Sequence, residues 1–343
     1  MAEHVFDVLQ FGRQSVVGTS VATTTLFPGK APEPELDRGY QNPDEDYGRL
    51  SEEQPGRGSF GLRGGATSID TEVRFEDFMH LLEMHLKGSV TPTGGPVYSW
   101  LYTADETSYS VKPYTIEMGS VDTAQDQYRL TGCVCDELAF GFDQLAAPGA
   151  QPWTATASIL ALNREVAALS VVAGTPTTAV QAPTTLETAF GHFSIIKEGA
   201  TSVAFGSLSE LSSHLIMFRA TSKVPYVRRA YGGATDIAVG YGYSAKASVE
   251  FEAELKVSSS AKSNVVDIYN TAATAVQERR WRIVAAGSGS KALTTDMRVR
   301  FRTVGRGNRD GEATYLVAGS GVYDATLGGR IAVTSANGVA TLP

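Results

Sequence analysis

Disulfide chemistry is the first thing this sequence lacks. Its 343 residues hold two cysteines, Cys133 and Cys135, both within YRLTGCVCDELAFGF (128–142). Two residues apart on one strand, they could close only a tiny, strained ring, so no disulfide framework is expected. A zinc site needs four ligands, usually from two such pairs, and there is no second pair. The five histidines (His4, His80, His85, His192 and His214) show no ligand spacing. His80 and His85 lie five apart on a helical pattern and point to different faces. Basic character is missing too. With 29 Lys and Arg against 37 Asp and Glu, the net charge is −8, which argues against a protein held on nucleic acid by phosphate contacts. No apolar run approaches the length that spans a bilayer, so no membrane insertion is expected. The opening MAEHVFDVLQFG lacks the basic and apolar regions of a signal peptide. There is no G-x-S-x-G elbow, P-loop, H-E-x-x-H or full S-x-x-K catalytic set. VGRGNRDG (304–311) sits between two strand patterns and reads as a hairpin turn, not a phosphate loop. No enzyme, cofactor or metal is expected.

What is present is a core and a β pattern. Hydrophobic residues make up 42% of the chain, too many for disorder. Abundant Gly, Thr, Ser and Val favour strands and turns. Segment 66–88 reads as a strand (Ile69, Val73, Phe75) running into a helix over 75–87 (Phe75, Phe78, Met79, Leu82, Leu86), with Gly88 as its stop. Segment 245–276 repeats the order. Ala247, Val249, Phe251, Ala253, Leu255 and Val257 alternate with mostly charged residues, and Val265, Ile268, Tyr269, Ala272 and Val276 then give a helix over 263–277. Trp100 and Trp281 follow the two helices, and strands beginning at Tyr128 and Tyr315 come later; TSVA occurs at 19–22 and 201–204. This order at near-constant displacement predicts an internal duplication. The expected fold is mainly β: two β-sandwich or half-barrel units, 1–175 and 176–343, each flanked by one α-helix. The seam falls in the Thr/Pro/Ala-rich stretch 171–190.

Three features remain. KAPEPELDRGYQNPDEDYGRLSEEQPGRGSFGLRGG (30–65) reads as a long acidic loop. Asn42, Asp44, Asp46 and Glu53 have calcium-loop spacing, but Tyr47 stands where the sharp turn needs Gly, so a solvated or docking loop is the better reading. In DMRVRFRTVG, Arg298, Arg300 and Arg302 share a strand face and would repel one another unless acid lies opposite. Loop acids such as Glu33, Glu35, Asp37, Asp44, Glu45 and Asp46 supply a complement and suggest copies docking head to tail. In the cysteine strand, alternation sets Leu130, Val134, Leu138, Phe140 and Phe142 on one face. Cys133 and Cys135 fall on the other with Arg129, Thr131 and Glu137, as small fillers.

Several stretches resemble the major tail tube proteins of long-tailed, siphovirus-like bacteriophages. They are FGRQSVVGTSVATTTLFPG near the start, GSFGLRGGATSIDTEVRFEDFMHLLE, YSWLYTADETSYSVKPYTIEMGS with YRLTGCVCDELAFGFDQ and PWTATASILA, and the closing YLVAGSGVYDATLGGRIAVTSANG. The resemblance implies a structural virion protein made in the host cytoplasm. Its sheets would combine between subunits into an inner barrel, and its rings would stack into a tube around a tape measure protein. DNA would pass through without specific binding. With two units per chain, a homotrimeric, pseudo-hexameric ring is expected, the alternative being a homohexamer. No C-terminal immunoglobulin-like domain is expected. The acids at 33–46 would make ring-to-ring contacts, and Arg298, Arg300 and Arg302 a subunit interface. The other functional reading is a phage decoration or adhesin-type β-sandwich.

Overall fold

A computed structural model describes residues 5–6, 8–41, 59–103, 110–119, 127–143, 151–170, 187–191, 194–211, 214–229, 240–243, 246–271 and 278–342. The chain is mainly β and every strand pairing is antiparallel. Strands β1 (Val5–Phe6), β2 (Val8–Arg13), β3 (Thr25–Phe27), β4 (Ala31–Pro32), β5 (Glu35–Gln41) and β6 (Ser59–Glu72) precede helix α1 (Phe78–His85). Then come β7 (Thr93–Gly94), β8 (Tyr98–Thr103), β9 (Tyr114–Gly119), β10 (Gln127–Asp143), β11 (Thr154–Ala161) and β12 (Asn163–Val166). The second part holds β13 (Ser194–Ala200), β14 (Ser209–Glu210), β15 (Leu215–Lys223), β16 (Tyr226–Arg229), β17 (Gly240–Tyr243) and β18 (Ser248–Lys256). After a helical stretch come β19 (Glu278–Ala286), β20 (Ala292–Arg309), β21 (Glu312–Val322) and β22 (Ile331–Asn337).

One ladder runs β5–β6–β11–β10–β15–β18–β21–β20. Its strands alternate, as a sheet with one buried and one wetted face requires. In β18, Val249, Phe251 and Ala253 are buried while Glu250 and Glu252 are exposed; in β11, Ala155, Ala157 and Ile159 are buried while Thr154 and Thr156 are exposed. A second set of strands lies against the buried side: β3–β2–β9–β10–β12, and β14–β13–β19–β20–β22–β8. The long strands β10 and β20 belong to both sets. Their N-terminal parts pair with β9 and β19, and their C-terminal parts with β11 and β21. Each carries a bulge where the pairing changes, between Cys135 and Glu137 and between Phe301 and Thr303. A bulge bends its strand and lets one strand serve two layers.

α1 is buried on every side. Phe78 meets Phe140 (ring centroids 5.4 Å apart), and Trp153 packs on Phe142 (5.2 Å) and Phe218 (5.8 Å). Trp281 makes a second aromatic centre with Phe251 (5.2 Å) and Phe301 (5.5 Å). Gly88 serves packing: a Cβ there would lie 2.4 Å from the Lys112 nitrogen.

Three sequence expectations need correcting. The second helix starts earlier than 263: Ser258 caps it, its hydroxyl accepting from the Ala261 amide at 3.0 Å, and it runs as Ser259–Ala261, a π turn Lys262–Val266 and Asp267–Tyr269. The serine-rich stretch before Val265 is therefore cap and first turn; residues 272–277 lie outside the described residues. The supposed loop 30–65 is strand at both ends, in β4, β5 and the start of β6. Its backbone pairing is set by β6 and not by side-chain alternation, so no periodicity announces it; 42–58 lies outside the described residues. Finally, Cys133 and Cys135 do not share a face with Glu137. Both are fully buried in the main core with Leu130 and Leu138, whereas Val134 joins a separate small cluster with Val224, Tyr226 and Ala247. Shifts between Leu130 and Cys133 and between Cys135 and Glu137 reset the strict alternation that the sequence reading assumed. Most of the expected seam lies outside the described residues, but Glu187 and Ala189 pair by backbone with Phe75, Val73 and Trp153.

Candidate assembly surface

The wetted face of the ladder is laced with ion pairs. Lys223 Nζ lies 2.9 Å from Glu137, Lys256 Nζ 2.7 Å from Glu312, and Arg309 reaches both Asp143 (2.5 Å) and Glu254 (2.6 Å). The Lys223 and Lys256 pairs are exposed and contribute at most about 1 kcal/mol each, whereas Glu254 is buried and also accepts from the Thr314 hydroxyl at 2.6 Å.

Arg298, Arg300 and Arg302 lie on β20, and acid does stand opposite them, within the same chain. Arg298 (2.5 Å) and Arg300 share Glu278 of β19, and Arg302 pairs with Glu250 of β18 at 3.1 Å. Burial works against the Glu278 charge, but hydrogen bonds from Arg300 and Arg298 hold its carboxyl below the usual range. The Arg302–Glu250 pair is exposed on both sides and leaves the guanidinium open to further partners.

The acids of 33–46 divide three ways. Glu33 accepts from the Tyr128 hydroxyl at 2.6 Å and pairs with Arg164 at 3.1 Å, whose guanidinium lies 4.4 Å from the Tyr128 ring centre. Glu35 is exposed on β5, and Asp37 sits opposite Gly64. Asp44, Glu45 and Asp46, like Asn42 and Glu53, lie outside the described residues.

Among the described residues no reactive constellation accompanies this surface. Burial pushes both thiols up, leaving them unionised at neutral pH. Burial holds His80 down to about 3 and His85 to about 4, the latter despite its bond to the Cys135 carbonyl (2.9 Å). No cluster of three His, Cys, Asp or Glu suited to a metal occurs among the described residues. A groove where β10, β11, β15 and β18 run side by side is lined by Gly141, Asp143, Thr154, Arg219 and Glu252 among others.

Sequence reasoning missed one element here. The β16–β17 hairpin clamps the first part of the chain: Arg228 donates to the Ala161 (2.9 Å) and Gly65 (2.7 Å) carbonyls, and the one hydroxyl proton of Tyr241 is shared between those of Gly132 (2.6 Å) and Leu160 (2.9 Å). A Cβ on Gly64 would lie 2.3 Å from the Arg228 guanidinium carbon. The Tyr- and Gly-rich composition of 222–244 was its only signal.

Among the described residues the ladder ends at two outer strands: β5 has β6 as its one strand partner, and Thr303–Arg309 of β20 has β21. The β20–β21 hairpin turns at Asp310 (φ 51°) and Gly311 (φ 85°), a two-residue turn of the type-I′ kind that matches strand twist. Arg309 and Glu312 flank it and so form the hydrogen-bonded pair next to the turn. Alternation then turns the amides and carbonyls of Thr303, Gly305 and Gly307 to β21, and those of Val304, Arg306 and Asn308 outwards. Exposed edges of this length are sites of strand addition.

Residues 8–213 match the profile of the phage tail tube protein family. The chain belongs to that family. A phage tail tube protein is a structural component of the virion tail, of no enzyme class, and it assembles with copies of itself into a tube. Among curated proteins no relative matches the chain. No helix of the described residues is long and apolar enough to cross a membrane.

Proposed function

We propose that three copies of this tail tube protein close one ring, and that rings stack around a tape measure protein into the conduit through which DNA leaves the virion. One observation carries the reading: the ladder order falls into two like halves. β5–β6–β11–β10 is followed by β15–β18–β21–β20, the halves joined by β10 and β15. β10 and β20 match in their bulges and in their two-layer role. This order sets β10 against β20 and β11 against β21, one strand out of step with the sequence echo between Tyr128 and Tyr315. Three chains then supply six units, and a ring removes the open edges. A net charge of −8 suits a conduit that repels phosphates.

The acidic segment between β5 and β6, with Asp44, Glu45 and Asp46, is proposed for ring-to-ring contacts, and Arg302 for contacts between subunits. Arg298 and Arg300 would act through Glu278. Negative-stain microscopy of the purified protein is expected to show rings or tubes, and native mass spectrometry a species of three 36.4 kDa chains. A six-chain ring would replace the trimer. A stable small oligomer without rings would favour the decoration or adhesin reading.

A further inference from the structure

We infer that the ring joint is a strand pairing between Thr303–Gly305 of β20 and Glu35–Asp37 of β5 in the next copy, in the register that β10 and β15 already use inside the chain. This rests on the ring reading above and names the partner surface within it.

The register follows from pairings on both sides of the internal joint. The bulges align Asp136 with Arg302, so Glu137, Leu138 and Ala139 correspond to Thr303, Val304 and Gly305. On the other side, β11–β6–β5 leads from Leu160 through Ala66 to Glu35, and β21–β18–β15 leads from Ser320 through Glu250 to Thr221. Glu35, Leu36 and Asp37 therefore correspond to Thr221, Ser222 and Lys223. Inside the chain Glu137 faces Lys223, Leu138 faces Ser222 and Ala139 faces Thr221. Transferred to two copies, Thr303 faces Asp37, Val304 faces Leu36 and Gly305 faces Glu35.

Three independent features fit this joint. The outward amides and carbonyls of Val304 and Arg306 have no strand partner among the described residues, and backbone groups left unpaired in a closed interface would be costly. Charge is complementary: 302–309 carries Arg302, Arg306 and Arg309 with no acid, while 33–37 carries Glu33, Glu35 and Asp37 with no base. The sheet face at Gly305 is open as well, since a Cβ added there meets nothing within 4 Å, so no side chain covers the strand at that point. β1 pairs with β4 at Ala31–Pro32, which limits the joint to residues beyond them.

Opposed residues in an antiparallel pair have Cα atoms about 4.5–5.5 Å apart, within disulfide reach. The Thr303→Cys, Asp37→Cys double variant, oxidised in assembled wild-type-like rings, is expected to give a non-reducing ladder that stops at three chains. Neither single variant should crosslink, and Arg306→Cys with Asp37→Cys, out of register, should not either. A ladder running to six keeps the joint and overturns the three-chain ring. Tubes that form while the in-register pair stays uncrosslinked overturn the joint and leave the tube reading intact. Wild-type protein that forms neither rings nor tubes overturns both. As a second measure, Val304→Pro removes an outward N–H without touching the β21 bonds. The chain is expected to keep its circular dichroism and lose assembly; assembly that survives overturns the joint.

Discussion

At the scale of the residue, the protein keeps charge inside by pairing it. Glu83 of α1, fully buried, accepts from Tyr114 (2.9 Å) and pairs with Arg13 (2.9 Å), which also holds the Leu342 carbonyl (3.0 Å). One carboxylate thus ties β2, α1, β9 and the C-terminal end together. Removing one partner of a buried pair leaves the other uncompensated. Glu83→Gln is expected to cost about 3 kcal/mol in urea unfolding, whereas neutralising the exposed Lys256 should cost less than about 1 kcal/mol. Asp77 is the contrasting case. Burial pushes its carboxyl up to about 7 against the nearby Arg74, and its Oδ2 has no hydrogen-bond partner. Its folded form thus prefers the proton, and the preference is lost as pH rises from about 4 through 7. Asp77→Asn is expected to raise the urea midpoint at pH 8 and to show little gain at pH 4.

At the scale of the element, caps, close approaches and bulges decide. Ser258→Ala removes the cap of the second helical stretch and is expected to cost about 1 kcal/mol, read as a lowered melting temperature. Gly141 lies where β10 meets β15: a Cβ there would stand 1.9 Å from the Phe218 carbonyl oxygen. Gly141→Ala is expected to cost about 3 kcal/mol by forcing the strands apart, and Gly305→Ala, in open space, almost nothing. A Gly305→Ala variant as unstable as Gly141→Ala would contradict this account. Element types were largely legible. Strict alternation at 247–255 marked β18, and helical spacing of Phe78, Met79 and Leu82 marked α1. β5 was not legible because an outer strand with Pro34 before it and Gly39 at an irregularity inside it is defined by its partner. The cysteine face was misread because a bulge leaves no compositional mark.

At the scale of the whole molecule, buried neutral histidines shape the response to acid. His80 and His85 stay unprotonated in the fold to about 3 and 4, while the unfolded chain takes up protons below about 6.5. Stability contributed by these groups is present above that pH and falls as pH drops towards 4. Asp77 opposes the trend, but two histidines outweigh one carboxyl. The urea midpoint is expected to fall between pH 6.5 and 4, and to fall more steeply in Asp77→Asn. A midpoint rising over that range would refute the assignment.

The sequence by itself determined the mainly β character, the half-wetted strands, the absence of recognisable catalytic motifs and the likeness to tail tube proteins, because these follow from local composition, period and motif. Tertiary structure alone decided that Glu278 and Glu250 face the three arginines, that β10 and β20 bend through bulges, and that β5 and the end of β20 are the outer strands of the ladder among the described residues. Those outcomes depend on backbone pairing between residues far apart in the chain, and a strand edge carries no residue pattern of its own.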